Sequence, residues 1–95
     1  ILMRLKTDLV DLLEATVNGR LEEIGPLEWD PRPSVCVVMA ADGYPGKYET
    51  GYPIRGLDEA ARVPDTKVFH AGTGTSDGTV ITNGGRVLSI AALGD

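Results

Sequence analysis

The sequence predicts an α+β fold: an N-terminal helix followed by a small, mostly antiparallel β-sheet. Three observations carry this expectation. Leu2, Leu5, Leu9, Leu12 and Leu13 recur at spacings of three and four, the period of an amphipathic helix. From Ser34 onward, short β-branched and apolar runs separated by glycine-rich turns replace that period. The charge pattern shifts with it: residues 1–30 hold seven carboxylates and three cations, whereas the last thirty hold two of each together with six glycines.

The leucine spacing predicts a helix from about residue 1 to 17, with Arg4, Lys6, Asp8, Asp11 and Glu14 on its outer face. Asn18-Gly19 is its stop, because glycine accepts the left-handed conformation that ends helices. The helix has no visible cap and the chain begins at Ile1 instead of methionine, so a parent chain continuing upstream is expected. Gly19, Gly25, Pro26, Pro31 and Pro33 permit no long element before residue 34. Leu21, Ile24, Leu27 and Trp29 are expected to pin that segment onto a core. The unbroken apolar run Ser34–Met39 reads as a strand buried on both faces, ended by the turn Asp42-Gly43-Tyr44-Pro45-Gly46. Tyr52-Pro53-Ile54 gives a short extended piece and Gly56–Ala61 one helical turn. Further strands are expected at 67–72, 79–82 and 86–91. Asp77-Gly78 and Asn83-Gly84-Gly85 both read as hairpin signals. The organisation expected is a helix over 1–18, linking from a region outside the chain, and a β-rich domain over 19–95.

Composition bounds the function. Ninety-five residues make one small domain or part of one, not two. A formal net charge of −5 opposes general nucleic-acid binding, which needs a basic face. The longest apolar run, Val35–Ala41, is too short to span a bilayer, and no secretion signal is visible. Neither nucleic acid nor membrane is an expected partner, and the compartment expected is the cytoplasm. One cysteine forms no internal disulfide, and one histidine beside one cysteine makes no structural zinc site.

Candidates for chemistry are few. Cys36 sits in the apolar run and reads as a small core residue. Ser34, Ser76 and Ser89 have no base near them in sequence. The carboxylate pairs Glu22-Glu23 and Asp58-Glu59 lie in solvated segments, and no complete active site or metal cluster is visible. The loop Gly72–Gly78 has the wrong glycine spacing for a dinucleotide site and precedes a strand, not a helix. Lys47 follows a tight turn but lacks the flanks of a biotinylated or lipoylated lysine. Thr82-Asn83-Gly84-Gly85-Arg86 is the most informative segment. A turn without side chains leaves backbone N–H groups free, and Arg86 offers a planar, five-donor guanidinium suited to phosphate or carboxylate. A plain hairpin with a surface arginine fits the local sequence equally well, although turn chemistry leaves the second glycine unexplained.

Three segments together resemble one family: VCVVMAADGYPGKYETGYPIRGL (35–57), VFHAGT (68–73) and TNGGRVLSIAALGD (82–95). The same order marks the C-terminal domain of the glycinamide ribonucleotide synthetase family of phosphoribosylamine–glycine ligases. RLKTDLVDLLEA (4–15) is similar to the helix leading into that domain. The resemblance implies the C-terminal domain of an ATP-grasp ligase, of rudimentary hybrid-motif type. It implies ligation of glycine to 5-phosphoribosylamine in de novo purine synthesis, with ATP and magnesium or manganese, through a glycyl phosphate. The nucleotide-clamping domains and metal ligands of the family lie upstream of Ile1, so no catalytic residue, ATP or metal is expected in this piece, and the isolated piece is expected to be inactive. Family members continue past Leu93-Gly94-Asp95 with a further helix and strand, so uncovered apolar sheet is expected. By the resemblance Arg86, with Asn83, Gly84 and Gly85, grips the ribose-phosphate end of phosphoribosylamine. His70, Gly72 and Thr73 form a second substrate surface, the strands around them being expected to lie together. The partners implied are the substrates and the remaining domains of the ligase. The alternative is a stand-alone, non-catalytic interaction or binding module derived from the ligase.

Overall fold

Helix α1 spans Leu9–Val17, a shorter element than the leucine spacing predicts. A computed structural model describes residues 1–95 and shows why. Residues 4–6 are not helical but pair with 28–30: Leu5 bridges Trp29, Lys6 N–H donates to Glu28 O at 2.9 Å, and Asp30 N–H donates to Arg4 O at 2.6 Å. The helix that follows does have a cap. Asp8 is extended, and its carboxylate accepts from Val10 N–H at 2.8 Å, satisfying one of the orphan first-turn donors. Asp11 in the first turn adds a charge favourable to the helix dipole. The Asn18-Gly19 stop holds: Gly19 has φ +66°, and Gly19 and Arg20 return N–H bonds to Thr16 and Ala15 at 3.3 and 2.8 Å, the double bond of a Schellman end.

The chain divides into two units, Ile1–Ser34 with Leu93–Asp95, and Val35–Ala92. In the first, Leu21–Ile24 makes a 3₁₀ turn. Leu21, Leu27 and Trp29 remain exposed there, so they do not pin the segment onto a core. Asp30 is fixed by Arg32, which donates to its carboxylate from the backbone at 2.9 Å and from the guanidinium at 2.8 and 3.1 Å.

The second unit carries the sheets. Strands β1 (Ser34–Ala40), β5 (Arg86–Leu93) and β2 (Thr66–His70) form one sheet in the order β1-β5-β2. Strands β3 (Thr73–Ser76) and β4 (Thr79–Thr82) form a two-stranded ribbon. Helix α2, Leu57–Ala61, packs against β2. The 51–54 segment runs beside β4 through a Pro53–Ile81 bridge and an Ile54 N–H bond to Val80 O. The mixed α+β class with mostly antiparallel pairing is thus as the sequence predicts. The core lies on the central strand, where Val87, Leu88 and Ala91 are only 6, 4 and 5% exposed.

Three expectations need correction. The stretch 73–76, read as loop, is a strand, and Asp77-Gly78 is the two-residue turn that pairs it with β4, both residues having positive φ as a type I′ turn requires. Asn83-Gly84-Gly85 is not a hairpin turn, because β4 pairs with β3 while β5 lies between β1 and β2. Finally, β1 is an edge strand open on both faces: Val35, Val37, Val38 and Met39 are each more than half exposed, and Cys36 is exposed too. Continuous apolar sequence reports a demand for cover on both faces.

Two measurements check this description. Cys36 in the folded chain should react with a thiol reagent as fast as it does in denaturant, and protection would restore a buried strand. Arg32 holds the Asp30 carboxyl at a pKa of about 2, against an ordinary value of 3.8. A depressed folded pKa gives a stabilisation that is complete above the unfolded value and lost as pH falls toward 2. Asp30→Asn should therefore flatten the acid side of the stability curve between about pH 4 and 2 and leave its shape near neutrality unchanged.

Candidate functional site

The two segments singled out in the sequence meet at one place. In register, His70 faces Leu88 on the β2–β5 side and Thr73 faces Thr82 on the β3–β4 side. Between these pairs the outgoing strand has two residues, 71 and 72, and the returning strand has five, 83 to 87. Asn83–Val87 is therefore a wide bulge in a long antiparallel excursion, and Arg86 stands within it. Its bonds fit this reading: Ala71 and Gly72 N–H both donate to Val87 O, at 3.1 and 2.8 Å, and Asn83 N–H donates to Gly72 O at 2.7 Å.

Glycines let the bulge close. A methyl group on Gly72 would sit 2.6 Å from Arg86 O and 2.7 Å from Gly84 Cα, and one on Gly84 would sit 2.9 Å from Gly72 Cα. These obstacles are backbone and cannot swing away. The second glycine of the pair, unexplained by turn chemistry, has its own neighbour. A methyl on Gly85 would collide with the Tyr44 ring and lie 3.1 Å from Cε1 of Tyr48. Tyr44 and Tyr48 stand with ring centroids 6.4 Å apart. The Asp42–Gly46 turn is thereby folded over Gly85.

Arg86 is exposed, forms no ion pair, and lies on a shallow depression of about 480 Å³ with Val38, Tyr44, Ala71, Gly72, Gly85 and Ser89. It is the only charged residue lining that depression. The N–H groups of Gly84 and Gly85 make no backbone hydrogen bond. Such a surface can receive an anion through a guanidinium fork and the adjoining Gly84 amide. His70 and Thr73 bond to each other instead, Nδ1 to Oγ1 at 2.8 Å, and no hydrogen bond joins either to Arg86 or Asn83. The structure thus unites Gly72, Asn83, Gly84, Gly85 and Arg86 in one bulge, with His70 and Thr73 at its margin.

Tyr44 is the neighbour that sequence reasoning left as a turn residue. The signal was present in the unexplained Gly85, since a glycine not required by φ implies a bulky partner. A larger cleft of about 590 Å³ mixes Asp42 and Glu49 with Lys47 and Arg55 over Val87 and Leu88. The Tyr52 hydroxyl donates to Glu49 there, and that bond raises the Tyr52 pKa. Both signs of charge are present in it, whereas Arg86 is the one charged residue of the smaller depression.

The glycine contacts make a graded prediction. Gly84→Ala and Gly72→Ala should each lower stability by about 1–3 kcal/mol, the cost of overpacking against fixed neighbours. Gly74→Ala should be tolerated, because its methyl meets only the Asn83 side chain at 3.5 Å. Equal melting temperatures for all three variants would show that the bulge is not closed by backbone contact.

Comparison with known proteins gives the family of the chain. Residues 34–95, the span containing every strand, match the family described as Phosphoribosylglycinamide synthetase, C domain. Over 95 residues the chain is 58% identical to a phosphoribosylamine–glycine ligase of Rhodopirellula baltica and 50% identical to one of Caldanaerobacter subterraneus, and over 94 residues 53% identical to one of Synechocystis. All or nearly all of this chain is covered, but only 22% of each relative. A domain-length match that takes in the bulge and all five strands shows that the chain belongs to the phosphoribosylglycinamide synthetase C-domain family.

Proposed function

We propose that the chain serves as the C domain of a phosphoribosylamine–glycine ligase and contributes the grip on the phosphate of 5-phosphoribosylamine. The reaction so assigned joins glycine to that amine with ATP in purine synthesis, in the cytoplasm. The observation that carries the site is Arg86, an unpaired cation alone among uncharged residues on the bulge depression.

The chain's own chemistry in this reading is binding and orientation. The Arg86 guanidinium donates two parallel N–H bonds to phosphate oxygens, a geometry that fixes direction as well as charge. The Gly84 N–H group adds a donor with no side chain of its own to block approach. His70, held by Thr73, stands at the margin, where an imidazole can bond a ribose hydroxyl. Holding the phosphate end places the amine for attack on activated glycine, and positioning of this kind lowers the barrier by removing translational freedom beforehand. No group of three His, Cys, Asp or Glu side chains in the chain is arranged to hold a metal. Its residues therefore do not fit the Mg²⁺ or Mn²⁺ of the ligation, and this reading gives metal and ATP to the remaining domains.

The test is a chimera in which these 95 residues replace the matching segment of the Rhodopirellula baltica ligase. The chimera should form product from phosphoribosylamine, glycine and ATP, and a folded but inactive chimera would refute the assignment. In it, Arg86→Ala should weaken use of phosphoribosylamine by about 1.5–3 kcal/mol, the scale of a charged hydrogen bond, or roughly 10- to 150-fold, with KM for ATP nearly constant. Arg86→Lys should fall between, since it keeps the charge without the fork. An unchanged KM for phosphoribosylamine in Arg86→Ala would remove Arg86 from the site.

A further inference from the structure

We infer that Tyr44 is a positioning residue for the anion grip: its ring, seated on Gly85, holds the bulge in the conformation that presents Arg86. The inference rests on the assignment of phosphate binding to Arg86.

The 41–48 segment holds Gly85 from two directions. Ala41 N–H donates to Gly85 O at 2.7 Å, and Tyr44 N–H donates to Ala41 O at 3.0 Å, which closes the turn that carries the tyrosine. From the side-chain direction, the Tyr44 and Tyr48 rings occupy the space where any β-carbon of residue 85 would lie. Gly85 is buried beneath them although its neighbours Asn83 and Arg86 are exposed. A bulge of five residues opposite two is a flexible element unless something fixes it. Gly72 fixes its first half by backbone contact with Gly84. No backbone neighbour crowds Gly85 itself, so the residue directly before Arg86 is held by the tyrosine rings and the Ala41 hydrogen bond. Tyr44 also lines the Arg86 depression, so the same ring shapes the wall beside the guanidinium. The Tyr44 hydroxyl makes no hydrogen bond within the chain, so the ring, not the phenol, does the holding.

The experiment uses the chimeric full-length ligase, with phosphoribosylamine, glycine and ATP varied in turn. Tyr44→Ala should raise KM for phosphoribosylamine about 10-fold, below the roughly 100-fold that a 1 Å misplacement can cost. KM for ATP and for glycine should stay within about twofold, a split that general loss of structure would not produce. Tyr44→Phe should restore the parent values. Should Tyr44→Ala fold poorly, Tyr44→Leu and Gly85→Ala supply the test, and Gly85→Ala should cost less when combined with Tyr44→Leu than alone, because the smaller side chain makes room for the methyl. Parent-like KM for phosphoribosylamine in both Tyr44→Ala and Gly85→Ala would overturn the positioning role, as would a uniform rise in all three KM values. If Arg86→Ala raises KM and the Tyr44 variants do not, only this inference fails. If Arg86→Ala is itself without effect, the phosphate reading fails and this inference with it.

Discussion

The contact on which the rest of the second unit depends is backbone against backbone, between Gly72 and Gly84. The chain passes this point twice, once on leaving β2 for β3 and once on returning from β4 to β5. With the Asn83 N–H on Gly72 O at 2.7 Å and the Gly72 N–H on Val87 O at 2.8 Å, the two passes are tied edge to edge. Any side chain at either position would push them apart. The two ladders could not then both keep register, because His70–Leu88 and Thr73–Thr82 are only three residues apart on the outgoing strand. A one-residue slip in such a ladder turns every side chain to the opposite face. It would exchange the faces of Val87 and Ala91 with that of Leu88 and carry Arg86 to the opposite side. The small core and the exposed cation are therefore consequences of the same close approach.

How much of this the sequence revealed follows from which forces act locally. Asn18-Gly19 and Asp77-Gly78 were legible because a left-handed turn is decided by one or two residues, and β5 because its apolar run is unmistakable. The helix start was misplaced because Leu2 and Leu5 keep the helical period while residues 4–6 pair with 28–30 instead. A contact twenty-four residues distant in sequence has no local signature. Asp8 was visible as a cap type, but the continuing leucine pattern obscured it. Asn83-Gly84-Gly85 carries the composition of a hairpin turn and is a bulge. Composition says that the backbone must be unobstructed there, and only pairing says which strand lies opposite. At the site, TNGGR and VFHAGT were legible as words and their meeting could be expected from strand order. The Tyr44–Gly85 contact was not legible, because it joins residues forty-one positions apart through shape alone.

The sheet leaves an apolar strand exposed at its edge. β1 is apolar on both faces and open at one edge, with one side of its ladder unpaired. Natural edge strands of isolated proteins are usually short, charged or covered, since an open edge invites further pairing. β1 has seven residues without a charge. The chain spans only 22% of the length of each ligase relative it matches. The core of three buried apolar side chains is correspondingly slight, and the glycine contacts, not apolar volume, keep the ladders in register.

In the proposed role, the electrostatics of the bulge would act at short range. The chain carries a net charge of −5, so its overall field repels an anionic ligand and offers no long-range steering toward Arg86. At physiological ionic strength, exposed charges separated by more than about 8 Å are largely screened. What remains is the immediate surroundings of the guanidinium, and these are uncharged: Tyr44, Ala71, Gly72, Gly85, Val38 and Ser89. No carboxylate pairs with Arg86, so a phosphate displaces water there and not an existing ion pair. That lowers the cost of forming the fork. In the proposed role, an arginine in a neutral hollow would distinguish a ligand by its fit to the hollow and not by the field of the whole chain. This ties the electrostatics back to the glycines. Selectivity of this kind requires the guanidinium to be held in place, and the bulge that carries it is fixed by Gly72 on one side and by the Tyr44 ring on the other.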